Sequence, residues 1–290
     1  MKRMSGILAL AIMITVIATV FSGTGANAAI SAPETLAVNG TNILVNGDAV
    51  AFRVSEATAG SDLNGDGDRS DFVVHIHEQI DSVGTTVNSG LAATVLRLGD
   101  RFVWLSVSES QMGTDINGDG DATDNIVQTI DRESGVVRNS NLPLAYSSDR
   151  YNQNIVFTGQ TGYFSVTERG AGVDLNGDTD ALDNVVHHWT PTGGVPINTG
   201  HAGFRLLSDD TFVSYTITEF AQGVSLNPDG DLNDQFIAFS GVDGGITITD
   251  HPTRGSILRD GIILTQFRED GNLFSDFNHD GDANDSILHF

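Results

Sequence analysis

The stretch DLNGDGDRSD, from Asp62 to Asp71, places four aspartates and one asparagine within ten residues. Four related stretches follow it along the chain: DINGDGDATD (115–124), DLNGDTDALD (174–183), SLNPDGDLND (225–234) and DFNHDGDAND (276–285). Their first residues lie 51 to 59 positions apart. A period of this length is typical of repeat architectures, in which each repeat is one supersecondary unit. We number these stretches loops 1 to 5 and their residues positions 1 to 10.

Each loop lies between two apolar runs. The run before it ends in glutamate, as in AFRVSE and GYFSVTE, and the run after it reads FVVHIHE in the first repeat and NVVHHWT in the third. These runs are rich in Val, Ile, Phe and Thr and contain no proline, which indicates β-strands. We therefore predict that each loop connects the two strands of a hairpin. Two further short extended runs occupy the rest of each repeat.

Four strands per repeat predict an all-β fold and favour a β-propeller over a β-solenoid, whose repeats are usually shorter. The predicted repeats span about 43–92, 93–152, 153–202, 203–254 and 255–290. The fifth repeat ends before its fourth strand, and we expect the N-terminal strand 33–41, with Thr35–Gly40 (TLAVNG) at its centre, to supply it. The result would be five four-stranded blades without an open sheet edge. A part of a larger ring is the alternative.

The first residues predict a secretory signal peptide at 1–28. Lys2 and Arg3 precede an apolar run from Ile7 to Phe21, and a small-residue cleavage site follows at Ala28. A transmembrane anchor is the alternative, but the run is shorter than the roughly 20 residues that span a bilayer. We expect residues 29–290 to form a single repeat domain that is secreted to the periplasm, cell surface or medium.

The composition excludes several kinds of chemistry. The chain has no cysteine, and its one lysine is Lys2, so thiol nucleophiles, thiolate metal sites and a lysine Schiff base in the mature chain are excluded. The net charge is −24, which disfavours binding to nucleic acids or anionic membranes. Half of the 38 acidic residues lie in the five loops, so the charge is concentrated there rather than spread over the surface.

The loop consensus, D-x-N-x-D-G-D-x-x-D, predicts a metal site. Carboxylate or amide oxygens recur at positions 1, 3, 5 and 10, and glycine at position 6 suits a tight turn. Hard oxygen donors without His or Cys favour calcium over zinc or copper. Carboxylates about 4 Å apart repel by roughly 4 kcal/mol at an effective dielectric of 20, so several of them converge only around a cation. The alternative is a set of hydrophilic turns rich in Asn, Asp and Gly.

The first six positions resemble the calcium loops of EF-hands, dockerins, thrombospondin type 3 repeats and integrin propellers. The fuller pattern, E-x-x-x-G-x-D-φ-N-G-D-G-D-x-x-D followed by a strand, resembles bacterial and archaeal propeller-like proteins with calcium-binding hairpins, and it covers nearly the whole mature chain. It departs from a true EF-hand because the twelfth position is Val73 in the first copy instead of glutamate, and a strand follows instead of a helix. We therefore expect the aspartate at position 10 to close each site.

The resemblance implies up to five calcium ions, with side-chain ligands at positions 1, 3, 5 and 10 and the carbonyl of position 7. These ligands are Asp62, Asn64, Asp66, Asp68, Asp71; Asp115, Asn117, Asp119, Asp121, Asp124; Asp174, Asn176, Asp178, Asp180, Asp183; Asn227, Asp229, Asp231, Asp234; and Asp276, Asn278, Asp280, Asp282, Asp285. The upstream glutamates are accessory ligands: Glu56, Glu109, Glu168, Glu219 and Glu269.

Two loops depart from the consensus. Loop 3 has Thr179 at the glycine position, so we expect a strained turn there. Loop 4 has Ser225 at position 1 and Pro228 at position 4, and we expect it to be the weakest site.

The signals for catalysis are weak. His75, His187 and His289 share one repeat position, which favours packing over a metal-binding ring, and His187 and His188 point to opposite faces of one strand. Five-bladed propellers also include glycosidases, whose carboxylates face a central pocket. The predicted inner strands here carry no acid; only four aspartates lie at their ends: Asp100, Asp209, Asp210 and Asp260.

We therefore expect an exported, calcium-binding, non-catalytic propeller that acts as a binding module or as a cell-surface or matrix scaffold. A glycoside hydrolase or lectin on a five-bladed propeller is the alternative. The expected partners are an extracellular glycan or protein, and the expected state is a monomer without membrane insertion. Five aromatic residues are candidates for stacking on sugars or for the core between blades: Trp104, Tyr146, Tyr151, Tyr163 and Trp189.

Overall fold

The computed structural model describes residues 40–80, 83–146, 154–209, 211–241, 245–253, 255–269, 276–282 and 284–289. The expected signal peptide and the N-terminal strand up to Asn39 lie outside these residues, as do Tyr151 and Asp210. Contacts within the chain divide it into two compact units, residues 1–100 and 101–290. Among the described residues, no helix has the length and apolar character needed to cross a membrane.

The first unit is an antiparallel sheet in the order β1-β2-β3-β4 with one single-turn helix. Its elements are β1 (Gly40–Asn46), β2 (Ala49–Ser55), α1 (Glu56–Ala59), β3 (Phe72–Ile80) and β4 (Val83–Leu98). Loop 1 connects α1 to β3. The side chains of Val50, Phe52 and Val54 on β2 form a buried cluster, and Leu63 of loop 1 packs against it.

The second unit repeats this arrangement. Its elements are β5 (Phe102–Ser108), α2 (Glu109–Met112), β6 (Asn125–Asp131), β7 (Val137–Pro143), β8 (Ile155–Thr158), β9 (Thr161–Thr167), α3 (Glu168–Ala171), β10 (Asn184–Trp189), β11 (Ile197–Ser208), β12 (Phe212–Thr218), α4 (Glu219–Gln222), β13 (Gln235–Gly241), β14 (Ile246–Ile248), β15 (Gly255–Arg259), β16 (Ile262–Arg268) and β17 (Ser286–His289). Each strand pairs antiparallel with its chain neighbours in the runs β5–β7, β8–β14 and β15–β17.

The core of the second unit lies between successive groups of strands. Tyr163 on β9 and Tyr215 on β12 are buried in one cluster with Val186 and Leu206. The Tyr163 hydroxyl lies 3.0 Å from the Ser240 hydroxyl on β13, so the polar end of this large side chain is hydrogen-bonded inside the core. Strands β9 and β12 are buried on both faces over most of their length.

The all-β prediction is confirmed, and the five loops lie between the predicted strands. The number of blades and their closure into a ring stay predictions. The expectation of separate short strands is wrong at two junctions between repeats, where β4 and β11 are each one continuous strand. In each case the chain passes through a bulge and continues as the first strand of the next repeat.

A second correction concerns the glutamate before each loop. It was expected to end a strand, but in the first four repeats it begins a single-turn helix. The preceding residue, Ser or Thr, has an extended backbone at the N-cap, and a glycine with positive φ follows the last helical residue. Both are typical terminators of a helix.

Candidate metal centres

The five upstream glutamates are buried: Glu56, Glu109, Glu168 and Glu219 are 0% exposed and Glu269 is 1% exposed. In loop 3, Glu168 Oε1 accepts the N–H groups of Leu175 (2.6 Å) and Asn176 (3.3 Å), and Oε2 accepts the N–H of Asp183 (3.0 Å). One carboxylate therefore holds the beginning and the end of the loop together. The corresponding bonds occur in loops 1, 2, 4 and 5.

Inside each loop, side-chain oxygens organise the backbone at intervals of two residues. In loop 2, Asn117 Oδ1 accepts the N–H of Asp119, Asp119 Oδ1 accepts that of Asp121, and Asp121 Oδ1 accepts that of Thr123. The aspartate at position 1, Asp115, accepts two loop N–H groups, one with each carboxylate oxygen. These bonds within the loop fold the acidic stretch into a compact turn.

The folded loop brings carboxylates together. In every loop the buried glutamate and the aspartates at positions 7 and 10 each offer an oxygen within 4.8 Å of the others. The clusters are Glu56, Asp68 and Asp71; Glu109, Asp121 and Asp124; Glu168, Asp180 and Asp183; Glu219, Asp229, Asp231 and Asp234; and Glu269, Asp282 and Asp285. Five acidic clusters therefore have the geometry to hold a metal ion.

The structure places the predicted ligands in two groups. Positions 7 and 10 join the clusters through carboxylates, and so position 7 offers more than the expected carbonyl. Position 3 lies beside position 10, since its amide Nδ2 donates to the position 10 carboxylate in loops 1, 2, 4 and 5. The aspartates at position 1 accept backbone N–H groups, which fixes the shape of the loop, and they are not among the clustered carboxylates of the described residues. Within the described part of the chain, position 5 joins a cluster only in loop 4, through Asp229. The accessory glutamates do both, since each accepts loop N–H groups and belongs to a cluster.

The electrostatics of the clusters favour a cation. Burial, followed by contact with Asp66, raises the pKa of Asp71 to about 6. Burial and the neighbouring carboxylates raise the pKa of Asp124 and that of Asp183 to about 6 as well. A carboxylate whose charge is disfavoured in this way is stabilised by a nearby positive ion. In loop 4, Asp229 belongs to the cluster, and its buried Oδ2 has no hydrogen-bond partner among the described residues.

The two unusual loops differ in their backbone. Thr179 has φ = 87°, where the other loops have glycine, so the expected strain is present. In loop 4, Pro228 has no N–H for a position 1 carboxylate to accept, and Ser225 instead donates its hydroxyl to the Asn227 carbonyl at 2.6 Å. The two substitutions compensate each other, and four carboxylates still cluster there. The lower affinity expected of loop 4 stays a prediction.

Three asparagines that were not predicted as functional residues bind the loops from the neighbouring strands β4, β7 and β11. Asn88, Asn139 and Asn198 donate to the carbonyl of position 2 in loops 1, 2 and 3, over 2.8, 3.3 and 2.7 Å. Each also accepts the N–H of the residue two positions later, at a bulge with positive φ. The signal was present as the recurring Asn-Ser/Thr-Gly/Asn of β4, β7 and β11, in VNSGL, RNSNL and INTGH.

The other candidate residues do not converge on a reaction centre among the described residues. Trp104, Tyr163 and Trp189 are 1–2% exposed and belong to the core, whereas Tyr146 is 88% exposed. The histidines at the shared repeat position pack in the first and third repeats, His75 against Phe52 and His187 against Phe164. His289 is exposed.

Three aspartates at the ends of the predicted inner strands have local partners. Asp100 accepts the Asn46 amide at 2.9 Å, and Asp260 lies 3.4 Å from Arg259. Asp209 accepts the N–H groups of Thr211 and Gly261, at 2.8 and 2.7 Å. Each of these three carboxylates therefore has a polar partner nearby.

Comparisons with known proteins leave the family open. No known family model matches the sequence, and no curated protein matches it. Among solved structures, a computationally designed protein, Ika8, is similar with 11% identity and a TM-score of 0.33, covering 80% of this chain and 69% of that one. An acylaminoacyl peptidase of Pyrococcus horikoshii is similar with 10% identity and a TM-score of 0.26, covering 79% of this chain and 42% of that one.

Proposed function

We propose that this protein is an exported calcium-binding repeat protein whose acidic loops are ordered by calcium, and that it acts as a non-catalytic binding module or surface scaffold. The observation that carries the proposal is the recurrence of one carboxylate cluster in all five loops, each held by a buried glutamate. Turns that only need to be hydrophilic do not require a fully buried carboxylate beside two or three others. The repetition therefore supports a shared cation-binding role.

Calcium is the cation that suits these donors. The loops offer carboxylate, amide and carbonyl oxygens, which are the ligands of calcium and magnesium, and no described cluster contains a histidine. Magnesium keeps several waters and prefers one or two protein carboxylates, whereas calcium accepts six to eight oxygens in flexible geometry. Three or four carboxylates on one loop fit calcium better.

The bound ions would stabilise a fold that has no disulfide. At calcium about 100-fold above Kd, each site adds about 2.7 kcal/mol, provided that the unfolded chain does not bind. Five independent sites would add roughly 13 kcal/mol, which is comparable to the whole stability of a typical domain. The concentrated negative charge would then be a source of stability wherever calcium is abundant, as it is outside cells.

We also propose that the repeats close into a five-bladed propeller, with Thr35–Gly40 as the last strand of the fifth repeat. The described strands of that repeat are β15, β16 and β17, one fewer than the four expected in each repeat. The likeness between the N-terminal segment and the fourth strands of other repeats supports it as the missing strand. Secretion, a monomeric state and an extracellular glycan or protein ligand are further parts of the proposal that rest on the sequence.

Thermal unfolding of the purified protein tests the calcium role. The transition is followed by circular dichroism in chelator, in millimolar calcium and in millimolar magnesium. We expect calcium to raise the midpoint far more than magnesium does, and an increase that depends on calcium concentration. Equal midpoints in chelator and in calcium would contradict the proposal.

A further inference from the structure

Loops 2 and 3 each contact the short helix of the following repeat directly. Asn117 of loop 2 donates its Nδ2 to the carbonyl of Gly170 in α3 at 3.2 Å. Asn176 of loop 3 makes the same bond to the carbonyl of Ala221 in α4 at 2.7 Å. These asparagines occupy position 3, so a predicted ligand of one loop also contacts the next repeat.

The fit between loop and helix is close. A methyl group added at Gly170 would lie 2.7 Å from Asp124 Oδ1, which belongs to the loop 2 cluster. A methyl group added at Gly223, which follows α4, would lie 2.6 Å from the Cβ of Asp178 in loop 3. The positions of these aspartates therefore depend on the position of the neighbouring helix.

Each of these helices also controls its own loop. The first residue of α3 is Glu168, which holds both ends of loop 3, and the first residue of α4 is Glu219, which holds both ends of loop 4. The contacts thus form a continuous series: loop 2, α3, loop 3, α4, loop 4. A second connection reinforces it, because Gln222 at the end of α4 donates to the Gly200 carbonyl and accepts the Ala202 N–H on β11, the strand that also anchors loop 3.

We propose that calcium sites in adjacent repeats are coupled through these helices, so that filling one loop increases the affinity of the next. The proposal rests on the calcium role proposed above and adds its regulation. A four-residue helix is too short to be stable alone, and its order depends on the groups that hold it. An ion that orders loop 2 fixes the surface on which α3 rests, and α3 then presents Glu168 to loop 3. The second ion therefore orders less of the chain when it binds, which is a source of positive cooperativity.

The test measures the binding of a metal ion at loop 3 alone, in a protein whose loop 2 is impaired. Leu182 of loop 3 is 77% exposed, and Leu182→Trp places a fluorophore beside the cluster that sensitises the luminescence of bound Tb³⁺, a trivalent substitute for calcium. Loop 2 is impaired with Asp115→Asn and Asp119→Asn together, which keep the shape of both side chains and remove two of the negative charges of the loop. The matched control carries Asp276→Asn and Asp280→Asn at the same positions of loop 5. The protein without the added tryptophan gives the background from Trp104 and Trp189.

We expect the loop 2 variant to weaken Tb³⁺ binding at loop 3 about fivefold or more, and the loop 5 control to leave it within twofold. Calcium competition against bound Tb³⁺ should show the same difference. Unchanged binding at loop 3 in the loop 2 variant would overturn the coupling and leave the calcium role intact. An equal loss in both variants would also overturn it, because general charge removal would then be the cause.

Failure of the parent Leu182→Trp protein to bind Tb³⁺ or calcium saturably would overturn the calcium role together with the coupling. Circular dichroism checks that the variants fold. If the double variant does not fold, Asp119→Asn alone replaces it, with Asp280→Asn as its control, and the same comparison applies.

Discussion

Glu168→Gln should destabilise the calcium-loaded protein by about 2–4 kcal/mol and the metal-free protein by much less. The side chain is 0% exposed and accepts three backbone N–H groups. Glutamine keeps one oxygen, which can still face Leu175 and Asn176, but its NH₂ group faces the N–H of Asp183. A hydrogen bond to a charged acceptor contributes about 1.5–3 kcal/mol, and a buried donor left unsatisfied costs about 1–3 kcal/mol.

The difference between the two conditions comes from the charge of the cluster. Glu168 lies within 4.8 Å of oxygens of Asp180 and Asp183, and each such pair repels by roughly 3 kcal/mol at an effective dielectric of 20. Without metal, the uncharged glutamine relieves this repulsion, and the relief offsets the lost hydrogen bond. With calcium bound, the repulsion is already compensated, and the variant loses attraction to the ion as well.

Urea unfolding followed by circular dichroism measures both values, one series in chelator and one in excess calcium. Glu133→Gln is the matched control, because Glu133 is exposed and the same substitution should change stability by less than about 0.5 kcal/mol. An equal loss of stability with and without calcium would refute the charge argument. A loss no greater than that of the control would refute the role of the glutamate in holding the loop.

Three further variants follow from the geometry. Thr179→Gly should raise the stability by about 1 kcal/mol and tighten calcium binding, because Thr179 has φ = 87° in a region that costs a non-glycine residue about 1–2 kcal/mol; a decrease in urea unfolding would contradict this. Asn198→Ala removes the 2.7 Å bond to the Leu175 carbonyl, and it should cost about 1 kcal/mol and weaken one site in a calcium titration; unchanged binding would show that β11 does not position loop 3. Burial opposes the ionisation of Asp209, but the N–H groups that it accepts, that of Gly261 first, outweigh this and lower its pKa to about 2. The stability that it contributes is thus present above the unfolded pKa of about 4 and is lost as the pH falls towards 2, so Asp209→Asn should be less stable than the parent at pH 7 and equal to it near pH 2; a difference that is constant with pH in thermal unfolding would contradict this.

The strands and the loops were predictable because each signal occurs five times. A single acidic stretch such as 174–183, with Thr179 in place of glycine, would be weak evidence for a metal loop, but its alignment with the others identifies it. The apolar runs on both sides also occur in every repeat, so the register of loop and strand follows from the repetition.

The support of the loops was not predictable in the same way. The single-turn helices are encoded by E-x-x-x-G, but a four-residue helix forms only when its glutamate finds N–H groups seven and fifteen residues later, as Glu109 does with Ile116 and Asp124. Asn139 on β7 donates to the carbonyl of Ile116, which lies 23 residues earlier in the chain. Such bonds depend on where the strands place the loop, which local sequence preferences do not specify.

Contacts between repeats could not be predicted from the sequence for the same reason. Gly170 is one residue of a short helix, where alanine would ordinarily be preferred by about 1 kcal/mol. The approach of Asp124 explains why no side chain fits there, since its Oδ1 would lie 2.7 Å from an added Cβ. The bond from Asn117 to the Gly170 carbonyl, between residues 53 positions apart, accompanies this approach.

The central claim is tested most directly by a calorimetric titration of the metal-free protein with calcium, with magnesium as the control. We predict saturable uptake of four or five calcium ions per chain and weaker binding of magnesium, in agreement with five acidic clusters. The absence of saturable calcium uptake would contradict the account, and the loops would then be acidic turns without a metal.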